Sequence, residues 1–292
     1  MAAIPLEQTF GARLASAMAA HGPLCVGIDP HAALLASWGL PDTVSGLESF
    51  AMTCVEAFGG AVAAVKPQSA FFERFGSAGV AVLERTLAGL READTLSILD
   101  AKRGDIGSTM AGYAEAYLGD ESPLRADAMT LSPYLGYGSL APALDLAGRT
   151  GRGVFVLTLT SNPEGASVQH ASTGGPGASV AASMVAGATR DNARAAAAGV
   201  LGSVGLVVGA TVGDAVDKLG IDLAAADAPL LAPGVGAQGG TAEDLARVFG
   251  DARPHVLASS SRDVLSAGPM VADLRERAVE VASELVTALG LR

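Results

Sequence analysis

Asp100-Ala-Lys102-Arg-Gly-Asp105 sets one lysine between two carboxylates. An ammonium flanked in this way is stabilised by its neighbours, and the proton affinities of the whole group are set jointly. Asp100 and Lys102 are two apart, so on an extended strand their side chains leave the same face and can meet. Asp105 stands farther along, past the reach of that strand. A second lysine, Lys66, occurs in Val-Lys-Pro-Gln, and another carboxylate, Asp29, in Gly-Ile-Asp-Pro. Only three of the 19 basic residues are lysines, at 66, 102 and 218. In a chain that otherwise uses arginine, a lysine marks a place where a proton can be given up, which a guanidinium does not do. Gathered around one mouth, these groups would form a network of alternating charge. The competing reading is a purely structural ion-pair cluster.

A second set of residues suits an anion. Pro233-Gly-Val-Gly-Ala-Gln238-Gly-Gly240 contains GxGxxG, but that dinucleotide fingerprint belongs after the first strand of a Rossmann unit, and here it follows a late one. Glycine amides and a helix N-terminus at this point fit a phosphate better. Ser259-Ser-Ser261-Arg262 adds hydroxyls and a guanidinium fork for the same anion.

These motifs need a scaffold that collects strand ends. Eight short apolar runs alternate with helical patterns: Leu24–Ile28, Ala61–Val65, Leu96–Leu99, Ala128–Leu131, Val154–Leu159, Gly205–Val208, Pro229–Ala232 and His255–Ala258. The helical stripes include Val80, Leu83, Leu87 and Leu90, and Thr241 with Asp244 reads as a capping box. The pattern predicts a single (β/α)8 TIM barrel over residues 1–292, with an extra N-terminal helix around Phe10–Met18; a doubly wound sheet is the alternative. One insertion, 161–179, carries Asn-Pro and Gly-Gly-Pro-Gly, poor material for helix or strand, and is expected to be a loop over the site.

Composition narrows the function. A net charge of -11 argues against nucleic acid as a partner. No apolar run approaches the ~20 residues of a membrane span, and the start lacks the pattern of a secretory signal, so a cytoplasmic location is expected. Cys25 and Cys54 read as small buried hydrophobes. The histidines at 21, 31, 170 and 255 lack zinc-ligand spacing, and His31 lies near the proposed mouth with a surface role expected.

Asp-x-Lys-x-x-Asp, Gly-Ile-Asp-Pro, Val-Lys-Pro-Gln, the glycine-rich block at 233–240 and the late Ser-Arg, in this order, resemble the orotidine 5'-phosphate decarboxylases. Ala-Phe-Phe-Glu73 and Thr-Ser-Asn-Pro163 are similar to the longer bacterial subgroup, the mycobacterial kind. The resemblance implies decarboxylation of orotidine 5'-phosphate to uridine 5'-phosphate without metal or other cofactor. It makes Lys102 the proton donor to C6, with Asp100 and Lys66 beside it. Asp29 and Lys66 would hold the ribose hydroxyls, and Ser161 the pyrimidine edge, with Thr158 and Thr160 as alternatives. Pro233, Gln238, Ser261 and Arg262 would bind the phosphate. It also implies a homodimer in which Asp105, Ile106 and Thr109 serve the partner's site. Arg103-Gly104 departs from the apolar residues expected inside the signature. A related barrel acting on keto sugar phosphates with Mg²⁺ would need an acidic ligand near Lys66, where this chain has Pro67-Gln68. A non-catalytic sensor of sugar phosphates would need only the phosphate loops.

Overall fold

The computed structural model describes residues 4–174, 178–235 and 240–291. Its strands are β1 (Leu24–Ile28), β2 (Ala64–Pro67), β3 (Leu96–Arg103), β4 (Ala128–Leu131), β5 (Gly153–Leu159), β6 (Val204–Val208), β7 (Leu230–Pro233) and β8 (Val256–Ser260). All pair in parallel and in chain order, and β8 returns to β1 through Cys25 opposite Ser259, closing the barrel. The expected (β/α)8 barrel is therefore the observed fold, and the doubly wound sheet is not. Strands covered by helices outside and side chains inside have no solvent face, which is why they read as continuous apolar runs without alternation.

Two strands differ from the sequence expectation by three residues or more at one end, the others by no more than two. β2 is shifted toward its C-terminal end, so Lys66 lies within the strand; a charged residue interrupts the apolar run, but its ammonium is paired there. β3 continues past Leu99 to Arg103 through a register shift between those residues.

The N-terminal helix, Phe10–His21, plugs one end of the barrel. Its Thr9 cap accepts a hydrogen bond from the Ala12 amide at 3.5 Å. Phe10 and Leu14 join an inner cluster with Ala64, Ile98, Ala128, Phe155, Val207 and Leu257. Phe10 meets Phe155 edge to face at 5.8 Å between ring centres. A Cβ at Gly153 would lie 2.2 Å from the Phe10 ring, and one at Gly205 2.4 Å from the Phe155 ring, so both strands use glycine to admit the aromatic pair. Arg13 ties the helix to the strands through Asp127, at 2.6 Å, and Asp127 in turn accepts the Ser97 amide at 3.0 Å. With this end filled, any ligand must enter at the other, where the strands terminate.

The 161–179 insertion holds more structure than expected. It contains a 3-10 turn at Pro163–Gly165 and a short helix at Ala166–Gln169. A bridge pairs Ser172 with Ser179, and Gln169 accepts the Thr160 amide at 2.9 Å. A local side-chain hydrogen bond thus folds a segment whose composition lacks helical periodicity. Among the described residues, no helix is long and apolar enough to cross a membrane.

Phe10→Ala should lower stability by about 3–5 kcal/mol in urea unfolding, the usual cost of emptying an aromatic core site. Ligand affinity at the opposite end should hold in the folded variant; a loss above tenfold would show that the plug and the open end are coupled.

Candidate active site

A cavity of about 380 Å³ opens at the C-terminal ends of the strands. This is the end where (β/α)8 barrels place their chemistry. One wall is charged, formed by Asp29, Lys66, Asp100 and Lys102; Leu157, Val207 and Leu231 supply an apolar surface suited to a flat ring.

Asp100 is the centre of the charged wall. Its Oδ2 receives the Lys66 ammonium at 3.0 Å and its Oδ1 the Lys102 ammonium at 2.5 Å. Thr130, buried on β4, donates its hydroxyl to the same Oδ1 at 2.9 Å and accepts the Lys102 backbone amide at 2.9 Å. The backbone at Lys102 is left-handed, with φ of +48°. For an L-residue that conformation costs about 1–2 kcal/mol and persists only where the surroundings over-determine it. The β3 irregularity is therefore a constructed feature, and Gly104 belongs to it. A Cβ there would lie 2.1 Å from the Ser132 carbonyl oxygen, so only glycine lets β3 leave the barrel beside β4. Arg103 points away from the cavity. It pairs with Glu73, and its guanidinium lies 5.8 Å and 5.9 Å from the Tyr113 and Tyr117 ring centres. Both unexpected residues of the signature thus acquire a physical role.

The electrostatics follow from this packing. Burial opposes charge on Lys66, but the carboxylates of Asp100 and Asp29 outweigh it and hold the ammonium above its ordinary range. Burial also opposes charge on Asp100, and the two ammonium groups outweigh it, keeping the carboxyl well below the usual carboxylate range. Burial pushes the Cys25 thiol up to about 12 against the opposing pull of Lys66, so thiolate chemistry is unavailable there. One oxygen of Asp29, Oδ1, is buried without a hydrogen-bond partner. A buried acceptor left open at a cavity wall suits a ligand hydroxyl.

The end expected to bind an anion is built from β7 and β8. Pro233, Gly234, Ser261 and Arg262 all line the cavity. Ser261 Oγ occupies the space beside β1 where a Cβ on Gly27 would stand, only 2.0 Å away, so Gly27 lets the β8 loop close onto the first strand. Gln238 lies outside the described residues.

Of the residues singled out by sequence, Asp29, Lys66, Asp100, Lys102, Pro233, Ser261 and Arg262 come together at this cavity. Others do not reach it within one chain. Asp105 has left the strand, and its Oδ1 accepts the following Ile106 amide at 2.8 Å. Ile106 is 62% exposed, and Thr109 is exposed on the next helix. Ser161 is exposed and absent from the wall, whereas its neighbour Thr160 lines it. His31, expected at the surface, is exposed but also lines the cavity, with its ring 4.2 Å from that of Phe71. Thr130 was missed; the available signal was a hydroxyl residue inside the apolar run Ala128–Leu131. Among the described residues no three His, Cys, Asp or Glu side chains are grouped to hold a metal ion.

Because the folded pKa of Asp100 lies below its unfolded value near 4, its stabilisation is full above about pH 4 and fades as pH falls toward the folded value. The Lys66 contribution has the opposite sign, being full below about pH 10 and lost as pH rises through the folded value. Asp100→Asn should therefore cost about 3 kcal/mol at pH 7, since it strands a buried ammonium. In chemical unfolding at stepped pH, the gap to wild type should narrow below about pH 4; a gap independent of pH would show that Asp100 does not carry the charge balance.

The sequence profile of the orotidine 5'-phosphate decarboxylase / HUMPS family matches residues 22–276. A Salinispora arenicola orotidine 5'-phosphate decarboxylase is 61% identical over 282 residues, spanning 97% of this chain and 99% of that protein. One from Streptomyces coelicolor is 58% identical over 283 residues, spanning 97% and 99%. Among solved structures, a Streptomyces avermitilis protein carrying the same designation superposes with a TM-score of 0.91 at 58% identity, covering 97% of this chain and 96% of that one. The Leishmania donovani OMP decarboxylase gives 0.71 at 30% identity, covering 97% and 99%. The chain belongs to the orotidine 5'-phosphate decarboxylase / HUMPS family.

Proposed function

We propose that this chain decarboxylates orotidine 5'-phosphate to uridine 5'-phosphate in pyrimidine biosynthesis, as a cytoplasmic homodimer and without a metal or organic cofactor. The observation that carries the reading is the Asp100 carboxylate held at 3.0 Å and 2.5 Å by two ammonium groups on the cavity wall. A sugar-phosphate sensor needs no such arrangement. The Mg²⁺-dependent reaction on keto sugar phosphates calls for an added carboxylate beside Lys66, where Gln68 stands.

The substrate phosphate would lie against Ser261, Arg262 and the backbone of Pro233 and Gly234, with Gln238 joining from the β7 loop. The ribose hydroxyls would take the open Asp29 oxygen and Lys66. The pyrimidine would rest on Leu157, Val207 and Leu231, its amide edge toward Ser161 or Thr160; Thr160 has the support of lining the cavity. The C6 carboxylate then faces Asp100. This like-charge contact is relieved when the bond to C6 breaks, CO₂ departs and the electron pair remains on C6. Lys102 stabilises that pair and transfers a proton from Nζ to C6. Each tenfold in rate needs about 1.4 kcal/mol of stabilisation found only in the transition state. Phosphate binding at the far end can supply part of it by drawing the 161–179 segment over the site and excluding water.

Asp105, Ile106 and Thr109 would complete the partner's site. The support is that Ile106, Tyr134 and Leu135, on the β3 and β4 loops, are 62%, 79% and 54% exposed, apolar surface that a second protomer would cover.

Lys102→Ala should abolish turnover of orotidine 5'-phosphate, followed by its absorbance, while affinity for uridine 5'-phosphate stays within about a hundredfold; wild-type turnover should persist undiminished in EDTA. Comparable turnover in the variant, or loss in EDTA, would remove the mechanism. Mixing inactive Lys102→Ala with inactive Asp105→Asn should restore up to about a quarter of wild-type activity, because half of the dimers then carry one intact site. No recovery despite subunit exchange would place Asp105 outside the partner's site.

A further inference from the structure

We propose that Glu73 and Arg103, outside the cavity, act as a positioning pair that holds Lys102 in its proton-donating geometry. The inference rests on the assignment of Lys102 as the donor. Lys102 sits at a left-handed backbone position in the irregular part of β3, so its ammonium is only as well placed as the residues around it are fixed. Arg103 brackets it. The Arg103 guanidinium donates back to the Ala101 carbonyl at 3.1 Å, spanning Lys102, and the Arg103 carbonyl accepts the Ser132 amide of β4 at 2.8 Å. Glu73 pairs with that guanidinium and also accepts the Ser69 hydroxyl at 2.5 Å. Glu73 ends the short helix Ser69–Glu73, which begins just past Lys66. The ends of β2 and β3 are thus joined twice, by Lys66 to Asp100 inside the barrel and by Glu73 to Arg103 outside it. The outer pair is partly exposed, with side chains 37% and 27% accessible, so its direct contribution to stability is small. Its consequence lies in geometry, where a misplacement of about 1 Å can cost a hundredfold in rate.

The test compares Glu73→Gln, Arg103→Lys and the exchanged pair Glu73→Arg with Arg103→Glu in the full-length protein, beside wild type and Lys102→Ala. Glu73→Gln should lower kcat for orotidine 5'-phosphate about thirty- to a hundredfold. KM and the Kd for uridine 5'-phosphate should stay within about threefold, and Tm within about 3 °C. Arg103→Lys should fall between, and the exchanged pair should recover at least about tenfold in kcat over Glu73→Gln. Full kcat in Glu73→Gln would overturn the proposal. So would a fall in kcat accompanied by equal losses in nucleotide affinity and Tm, the signature of a structural role alone. Turnover in Lys102→Ala would instead remove the donor assignment, so the two failures are separable.

Discussion

One carboxylate shared by two ammonium groups organises this molecule. Asp100 can remain ionised in a buried position only because Lys66 and Lys102 grip its two oxygens, and Lys66 can remain charged beneath the surface only because Asp100 and Asp29 face it. Removing Asp100 strips the buried Lys66 ammonium of its paired carboxylate in a low-dielectric wall. The network is therefore costly alone and consistent only as a unit. That demand brings residues of three adjacent strands together at one point, with Thr130 of β4 bridging the Asp100 carboxylate and the Lys102 amide.

The rest of the barrel serves this placement. The Phe10 and Phe155 pair fills the opposite end, admitted by glycines at 153 and 205, which leaves the other mouth for a ligand. Leu157, Val207 and Leu231 add an apolar surface to the same cavity, one that does not compete for the ammonium groups. A substrate anchored by its phosphate would pay for orientation at a distance from the reacting carbon. The same geometry gives the β3 irregularity two tasks. It aims Lys102 inward and sends Asp105 and Ile106 outward, where the dimer proposed above would use them.

Much of this was legible in the residues. The eight apolar runs gave the barrel because parallel strands buried on both faces lack alternation. The contact between Asp100 and Lys102 was legible from their spacing, although the reason was incomplete: the chain is not extended at Lys102, and the side chains meet across a left-handed residue. Backbone departures of that kind depend on partners distant in sequence. Glu73 lies thirty positions before Arg103, and the Ser132 carbonyl that requires Gly104 to be glycine comes from the next strand. Thr130 was hidden for a related reason, since a threonine in an apolar run is also an ordinary strand residue. The 161–179 segment read as irregular because its short helix is tied back by two side-chain bonds between Gln169 and Thr160, and no periodicity encodes those.

The most direct test of the central claim is a crystal structure with uridine 5'-phosphate bound. Lys102 Nζ should lie about 3–3.5 Å from C6, the distance of a group poised to transfer a proton. Asp100 should retain both ammonium contacts, and its free edge should face the space left by the departed carboxylate. C6 placed next to Lys66 instead, or beyond the reach of either lysine, would contradict the account.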